Sequence, residues 1–327
     1  GARSVSIHKN IIGGDNLRVK NLKIQLHNRI DKMLNIGSSK HQAKKDYRKF
    51  CEANNIKVNP SKSAFIHSYK TADAYRQSIN EFSTWLKDNK SGIWGSKDLD
   101  NLDKRVCYEY LHYREDNGCS AYTVSKDMSA LNKVLNYDLN KKEGNLKERS
   151  YKDVTRSRLD SKEDTKYNPK NYSDQIEFAR AFGLRRESIY GGSYQVKNIS
   201  LFKNTDNDKV YCSVIEKGGR YREAPCLSSY QKQIEQKYNI EERQPLEKEE
   251  FIDLYNKNDS LLFDKYTEKI DNHAFRGEYA RALYNEIAEN KDEIKTDYRG
   301  YDKDIVLEVS DALGHNRSSV VVEHYLR

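Results

Sequence analysis

Residues 71–87 read TADAYRQSINEFSTWLK. Tyr75, Ile79, Phe82 and Leu86 recur at steps of four, three and four, with Trp85 beside them. Residues three and four apart are neighbours on one face of an α-helix, so this stretch predicts an amphipathic helix with one buried stripe. Working outward, Val106, Tyr110 and Leu111 predict a second helix over 103–114, ended by Gly118. Ser120 is a suitable N-cap for a third. That helix would bury Val124, Met128, Leu131 and Leu135 and present Thr123, Lys126 and Lys133. Residues 62–140 therefore predict a helical bundle.

Toward the start, Val19, Leu22, Leu26, Ile30 and Met33 predict a helix over 17–34, with Gly37 as its stop. Ser39 caps another through Phe50, carrying Lys40, Lys44, Lys45, Arg48 and Lys49, and a break containing Pro60 follows. Residues 1–50 hold twelve Lys/Arg against Asp15, Asp31 and Asp46, a net of +9. The chain as a whole carries +8, so the remainder is near neutral at −1. A basic arm on a neutral body points to a polyanion partner, or to a solvated basic segment.

The 327 residues suffice for two domains and an appendage. Charged residues make up 33% and apolar ones 36%, yet the apolar positions keep regular spacing, which predicts true cores under charged surfaces. Twenty-four tyrosines make any single one weak evidence. Cys51, Cys107, Cys119, Cys212 and Cys226 are odd in number and scattered, with no C-x-x-C and no Cys/His pair at zinc spacing. A reducing, cytoplasmic location follows as the expectation. No apolar run approaches the roughly 20 residues of a membrane helix, and no signal peptide is visible. The chain opens Gly1-Ala2-Arg3 rather than with Met, so the native protein is expected to extend further at this end.

Apolar spacing lapses over 141–168, a charged stretch with Arg149, Lys152, Arg156 and Arg158 that ends near Pro169. It reads as a linker, either plainly solvated or tracking a phosphate backbone. The expected domains are an extension at 1–60, a helical domain at 61–145, a linker at 146–168 and a second domain at 169–327. Within the last, 172–182 predicts a helix. Val210–Glu216 and Tyr221–Leu227 predict a hairpin through Gly218-Gly219, since glycine supplies the positive φ of tight turns. Residues 228–268 read as helical with a turn at Pro245, and further helices are expected at 276–289, 303–313 and 318–326.

Five segments of the second domain carry chemistry: Gly183-Leu184-Arg185-Arg186, Glu216-Lys217-Gly218-Gly219, His273-Ala274-Phe275-Arg276, Leu313-Gly314-His315, and His324-Tyr325-Leu326. Each alone has a bland explanation as a salt bridge, a solvated turn, a chance pair or a helix cap. Together they hold what metal-free attack on a phosphodiester needs. Guanidinium groups can grip the charged non-bridging oxygens of the transition state. A lysine can protonate the leaving oxygen. A phenol of ordinary pKa about 10 needs a base or cationic surroundings to attack, and histidine can serve.

This ordered set resembles the tyrosine recombinase family of the phage-integrase type. The resemblance covers about residues 62–327, because Thr71-Ala72-Asp73-Ala74-Tyr75 and Ser120-Ala121-Tyr122-Thr123-Val124 are similar to the family's core-binding domain. It implies Arg185 as the first active-site arginine, with Arg186 in reserve, and Lys217 as the general acid. His273 and Arg276 would be the H-x-x-R pair, His315 the histidine of L-G-H, and Tyr325 the nucleophile. The implied fold is mainly α with a small antiparallel sheet, an α+β chain whose helical core-binding domain and catalytic domain clamp DNA. The implied activity is site-specific recombination or integration through a 3′-phosphotyrosyl intermediate, as the integrase of a bacterial phage or conjugative transposon. A type IB topoisomerase-like enzyme and a catalytically decayed DNA-binding accessory protein are the alternatives. Double-stranded DNA would be the partner, bound by a homotetramer on two sites, with a host bending factor or excisionase alongside. No cofactor, metal or membrane is implied. Thr123, Lys126, Arg156 and Arg158 are the candidate DNA contacts. Two departures stand out: ten residues separate His315 from Tyr325 where the family commonly has nine, and many members carry a longer tail after the tyrosine.

Overall fold

The computed structural model describes residues 19–56, 63–150, 167–189, 199–216, 219–255, 263, 265–270, 272–315 and 317–326. The chain divides into two units, Gly1–Thr155 and Arg156–Arg327.

Unit 1 is helical: α1 (Leu22–Lys32), α2 (Lys40–Ala53), α3 (Tyr69–Asn89), α4 (Ser91–Ser96), α5 (Lys104–Asp116) and α6 (Ala121–Leu135). Side-chain oxygens set the helix starts. Asn21, Ser39, Ser68, Asp103 and Ser120 each accept a hydrogen bond from a backbone N–H of the first turn, satisfying a donor with no intrahelical partner. The cap at Asn21 explains why α1 starts later than its apolar spacing suggested and leaves Val19 exposed outside it. Ile79, Phe82, Leu86, Val106, Tyr110, Leu111, Val124, Leu131 and Leu135 share one core, as the spacing predicts. Leu22, Leu26 and Ile30 of α1 are buried in that same core. By contrast, α2 buries only Cys51. Leu139 and Leu146 also reach the core, so the charged stretch after α6 begins as packed chain rather than free linker.

Unit 2 is built on a four-stranded sheet of order β3-β2-β1-β4, from β1 (Ile199–Asn204), β2 (Val210–Glu216), β3 (Arg220–Pro225) and β4 (Glu241–Arg243). Strands β1, β2 and β3 pair antiparallel. The short β4 joins β1 in parallel, making the sheet mixed where an antiparallel one was expected. It also interrupts the stretch expected to be helical over 228–268, which splits into α9 (Ser228–Lys237), β4 and α10 (Lys248–Tyr255). The charged triplet Glu241-Glu242-Arg243 has no strand pattern of its own; only pairing with β1 makes it a strand. Around the sheet lie α7 (Ser173–Phe182), α8 (Arg186–Ile189), α11 (Asn272–Glu289), α12 (Lys303–Ala312) and α13 (Ser318–His324). Phe275 of α11 belongs to the core under the sheet, while Tyr279, Ala280 and Leu283 belong to a second core with α12 and α13. The chain is thus mainly α with a small sheet.

Candidate active site

Strand alternation sets the first two groups of the site. Successive strand side chains point to opposite faces. Val210, Cys212 and Val214 are buried, and the same register carries Glu216 inward. On the adjoining strand Arg222 and Ala224 face the same way, with Arg222 opposite Val214. A buried charge is tolerated only when paired and hydrogen-bonded. Glu216 Oε2 accepts from Arg222 Nε at 2.9 Å and from Arg185 Nη1, and lies 4.0 Å from Arg276 Nη1. Its Oε1 accepts from the Arg185 backbone N–H at 2.8 Å and from Ser188 Oγ at 3.2 Å. Burial alone would raise the Glu216 carboxyl, but Arg222, Arg276 and Arg185 overcome it and hold the group well below the usual carboxylate range.

Two helix ends supply the next parts. Gly183 ends α7 at φ +57°, and a Cβ there would run into the Tyr279 ring. Gly314 ends α12 at φ +67°, where its N–H donates to Asp311 O and the His315 N–H donates to Ser310 O. This is the Schellman pattern of a glycine-terminated helix, and it turns His315 back toward the sheet. The exposed carbonyls of both ends point at guanidinium groups. Arg276 Nη1 donates to Gly183 O at 2.6 Å, and Nη2 donates to Leu313 O. Arg222 Nη2 donates to the same Gly183 O at 3.4 Å, and Nη1 donates to Ala312 O. Cations are favoured at helix C-termini, where carbonyl dipoles converge.

Arg276 shares its helical face with Tyr279, Ala280 and Leu283, which carries it into the core at 1% exposure. Burial, and then Arg222 nearby, pull it down to about 10, so it remains charged at neutral pH. Its Nε is buried without a hydrogen-bond partner among the described residues. Arg276 Nη2 lies 3.4 Å from His315 Nε2, and its guanidinium carbon is 5.8 Å from the centre of the Tyr325 ring. The His315 and Tyr325 rings are 5.5 Å apart. Burial, followed by Arg276, Arg185 and Arg222, holds His315 down to about 3. A neutral imidazole facing a guanidinium, which can only donate, keeps its Nε2 lone pair toward Arg276. Tyr325 is 3% exposed and follows directly on α13, with its carbonyl accepting from Arg281 Nη1 at 3.1 Å.

Of the site residues expected from sequence, Arg185, Arg276, His315 and Tyr325 come together. Arg186 is exposed beside them. His273 is exposed at the start of α11, one turn before Arg276. Lys217 lies outside the described residues, as do Arg156 and Arg158. Glu216 and Arg222 were missed, although the Val210-x-Cys212-x-Val214-x-Glu216 alternation signals an inward carboxylate. Among the described residues no group of three or more His, Cys, Asp or Glu is placed to hold a metal ion, and no helix is long and apolar enough to cross a membrane.

Residues 64–142 match the model of the phage integrase N-terminal SAM-like domain. Within it lie α3, α4, α5 and α6, while α1, outside the match, completes the same core. Within the matched residues Thr123 and Lys126 are half-buried. Thr123 Oγ1 is 3.1 Å from the capping Ser120 hydroxyl, and Lys126 Nζ is 4.0 Å from Asp127. The whole chain is similar to XerH site-specific recombinase bound to difH substrate in a pre-cleavage complex. The identity is 15%, covering 93% of this chain and 91% of that one, with a TM-score of 0.48. It is also similar to the Tn1549 transposon integrase in complex with transposon right end DNA, at 13% identity over 87% and 95% of the two chains and a TM-score of 0.37. No curated protein matches the sequence.

Proposed function

We propose that this protein is a tyrosine-type site-specific recombinase, the integrase of a mobile DNA element, with Tyr325 as its nucleophile. The observation that supports this best is the gathering of Tyr325, His315, Arg276 and Arg185 from four separated segments into one site. The SAM-like domain of the phage integrase type in the same chain agrees with it.

In this reading the Tyr325 oxygen attacks the scissile phosphorus. A phosphorus–phenol bond forms and the bond to the 5′-oxygen breaks. Once a phosphate oxygen takes Arg276 as its partner, the Nε2 lone pair of His315 is free to accept the phenolic proton, and the leaving 5′-oxygen takes a proton from Lys217. Arg185 and Arg276 hold the non-bridging oxygens, where preorganised donors contribute most because charge develops there. A 5′-hydroxyl of the partner duplex then attacks the phosphotyrosyl bond and releases Tyr325. Bond energy is conserved in the covalent intermediate, so no nucleotide triphosphate is consumed. Exchange between two duplexes would engage four copies of the chain. Thr123 and Lys126, with Arg156 and Arg158, are the proposed DNA contacts. The exposed basic face of α2 would add to affinity from the 1–60 extension.

The test is a nicked suicide duplex drawn from the DNA flanking the gene, resolved on a denaturing gel. The parent should yield a covalent protein–DNA band that Tyr325→Phe abolishes while native-gel binding persists. Sequence-specific binding with no covalent band from the parent would instead make this a DNA-binding accessory protein.

A further inference from the structure

The recombinase chemistry assigns nothing to Glu216, yet among the described residues of the site this carboxylate pairs with three arginines. It is 6% exposed at the end of β2, the strand leading to Lys217. Arg185, Arg222 and Arg276 converge on its two oxygens, and Ser188 and the Arg185 backbone N–H complete the shell. The three guanidinium groups come from different elements: the turn after α7, strand β3 and helix α11. Like charges this close repel strongly in a water-poor interior unless an anion lies between them. Arg222 carries the arrangement further. It holds Glu216 on one side and the carbonyls of Gly183 and Ala312 on the other, so the ends of α7 and α12 are referred to the same carboxylate. Arg220, on the same hairpin, donates to the His315 carbonyl at 3.2 Å.

We propose that Glu216 is a positioning residue of this site, the shared counter-ion that sets Arg185 and Arg276 in register for a phosphodiester, a role that rests on the recombinase reading above. It does not touch the reacting atoms. It acts through Arg185 directly, and through Arg222 on the helix ends that carry Gly183 and His315.

The test measures single-turnover cleavage of the suicide duplex alongside gel-shift affinity for the parent, Glu216→Gln, Arg185→Ala and the double variant. Glu216→Gln should bind DNA like the parent yet cleave about 100-fold more slowly, the usual consequence of misplacing a catalytic group by an ångström. The double variant should lose less than the product of the two single losses, because the part of the effect that passes through Arg185 is already gone. Cleavage by Glu216→Gln within about threefold of the parent, or losses that multiply in the double variant, would overturn the proposal. If Glu216→Gln does not fold, Glu216→Asp keeps the counter-charge but is a methylene too short to hold Arg185 and Arg222 together. It should bind normally, cleave at a rate between those of the parent and Arg185→Ala, and show the same non-additivity. A parent that forms no covalent product removes the recombinase reading. The positioning role is then decided by the Nε–H signals of Arg185, Arg222 and Arg276 in a nitrogen-15 NMR spectrum. These should be distinct and slow to exchange in the parent and collapse toward the free-arginine position in the Glu216 variant. Unchanged signals would refute it.

Discussion

Arg276 directs two nitrogens at the backbone carbonyls of Gly183 and Leu313, the first of them shared with Arg222. Removing it leaves the Leu313 carbonyl short of its donor and strips Glu216 of one counter-ion. Arg276→Ala should therefore cost about 3–5 kcal/mol, the range for breaking a buried ion pair, as well as abolish cleavage. Urea denaturation followed by circular dichroism reads the first effect. Arg276→Lys should recover part of the stability but little of the cleavage, since an ammonium cannot reproduce the guanidinium fork. At His315 the sign of the pH effect is fixed by its depressed pKa of about 3. The unfolded chain takes up a proton near the ordinary histidine value of about 6.5 while the folded chain does not, so stability falls as pH drops through that region. The urea midpoint of the parent should decline between pH 7 and pH 5, and His315→Gln should flatten that slope. The window stops short of the range where unfolded carboxylates, Glu216 included, would add to the same trend.

At the scale of elements, the two glycines that end α7 and α12 do different things from those elsewhere. Gly37 and Gly118 also have positive φ, but a Cβ at either meets open space. Alanine there should cost about 1 kcal/mol, the strain of the left-handed backbone. A Cβ at Gly314 would come within 2.8 Å of Arg222 Cδ, and one at Gly183 would strike the Tyr279 ring. Gly183→Ala should therefore exceed Gly118→Ala by about 1–3 kcal/mol, because the ring is core and cannot yield freely. Gly314→Ala should lower cleavage as well as stability, because Arg222, which would have to give way, is buried and holds Glu216. These two glycines were legible as parts of motifs, and so were the arginine, histidine and tyrosine that follow them. The physical need for glycine was not legible, because it lies in Tyr279 and Arg222, residues distant in the chain. Glu216 and Arg222 escaped because charged residues in strands ordinarily face water. Their inward register shows only when the alternation is followed past Val214. Strand β4 escaped because its pairing partner, not its own composition, makes it a strand.

On the scale of the whole molecule, helical spacing and capping residues drew unit 1 almost completely, since helices are specified by contacts close in sequence. The role of the basic extension was harder to read: its charge made residues 1–60 a candidate arm for DNA, with packing of its two helices against the bundle as the alternative. The structure separates its two helices. The apolar stripe of α1 is part of the core that α3, α5 and α6 share, whereas α2 leaves its Lys and Arg side chains outside. Leu26→Ala should accordingly cost about 2–5 kcal/mol, as for a leucine truncated in any closed core, with the loss seen as earlier unfolding. Replacing Lys44, Lys45 and Lys49 by Gln should leave the melt unchanged. If α2 lies on the backbone, the same replacement should also lower the salt slope of DNA affinity by about 0.9 for each phosphate no longer neutralised.

The attachment of Tyr325 bears on how copies of this protein would divide labour. Its ring lies against Arg276 and His315 of its own chain, its carbonyl is held by Arg281, and the next carbonyl, Leu326 O, accepts from the Tyr301 hydroxyl at 2.6 Å. A side chain anchored on both flanks is matched to the site it already occupies. Two inactive variants, one lacking the phenol and the other lacking Arg276, should then fail to rescue each other when mixed. Each copy would act as a self-sufficient cutter, so cleavage by a mixed population would fall in proportion to its defective members, while exchange, which engages four copies, would fall more steeply.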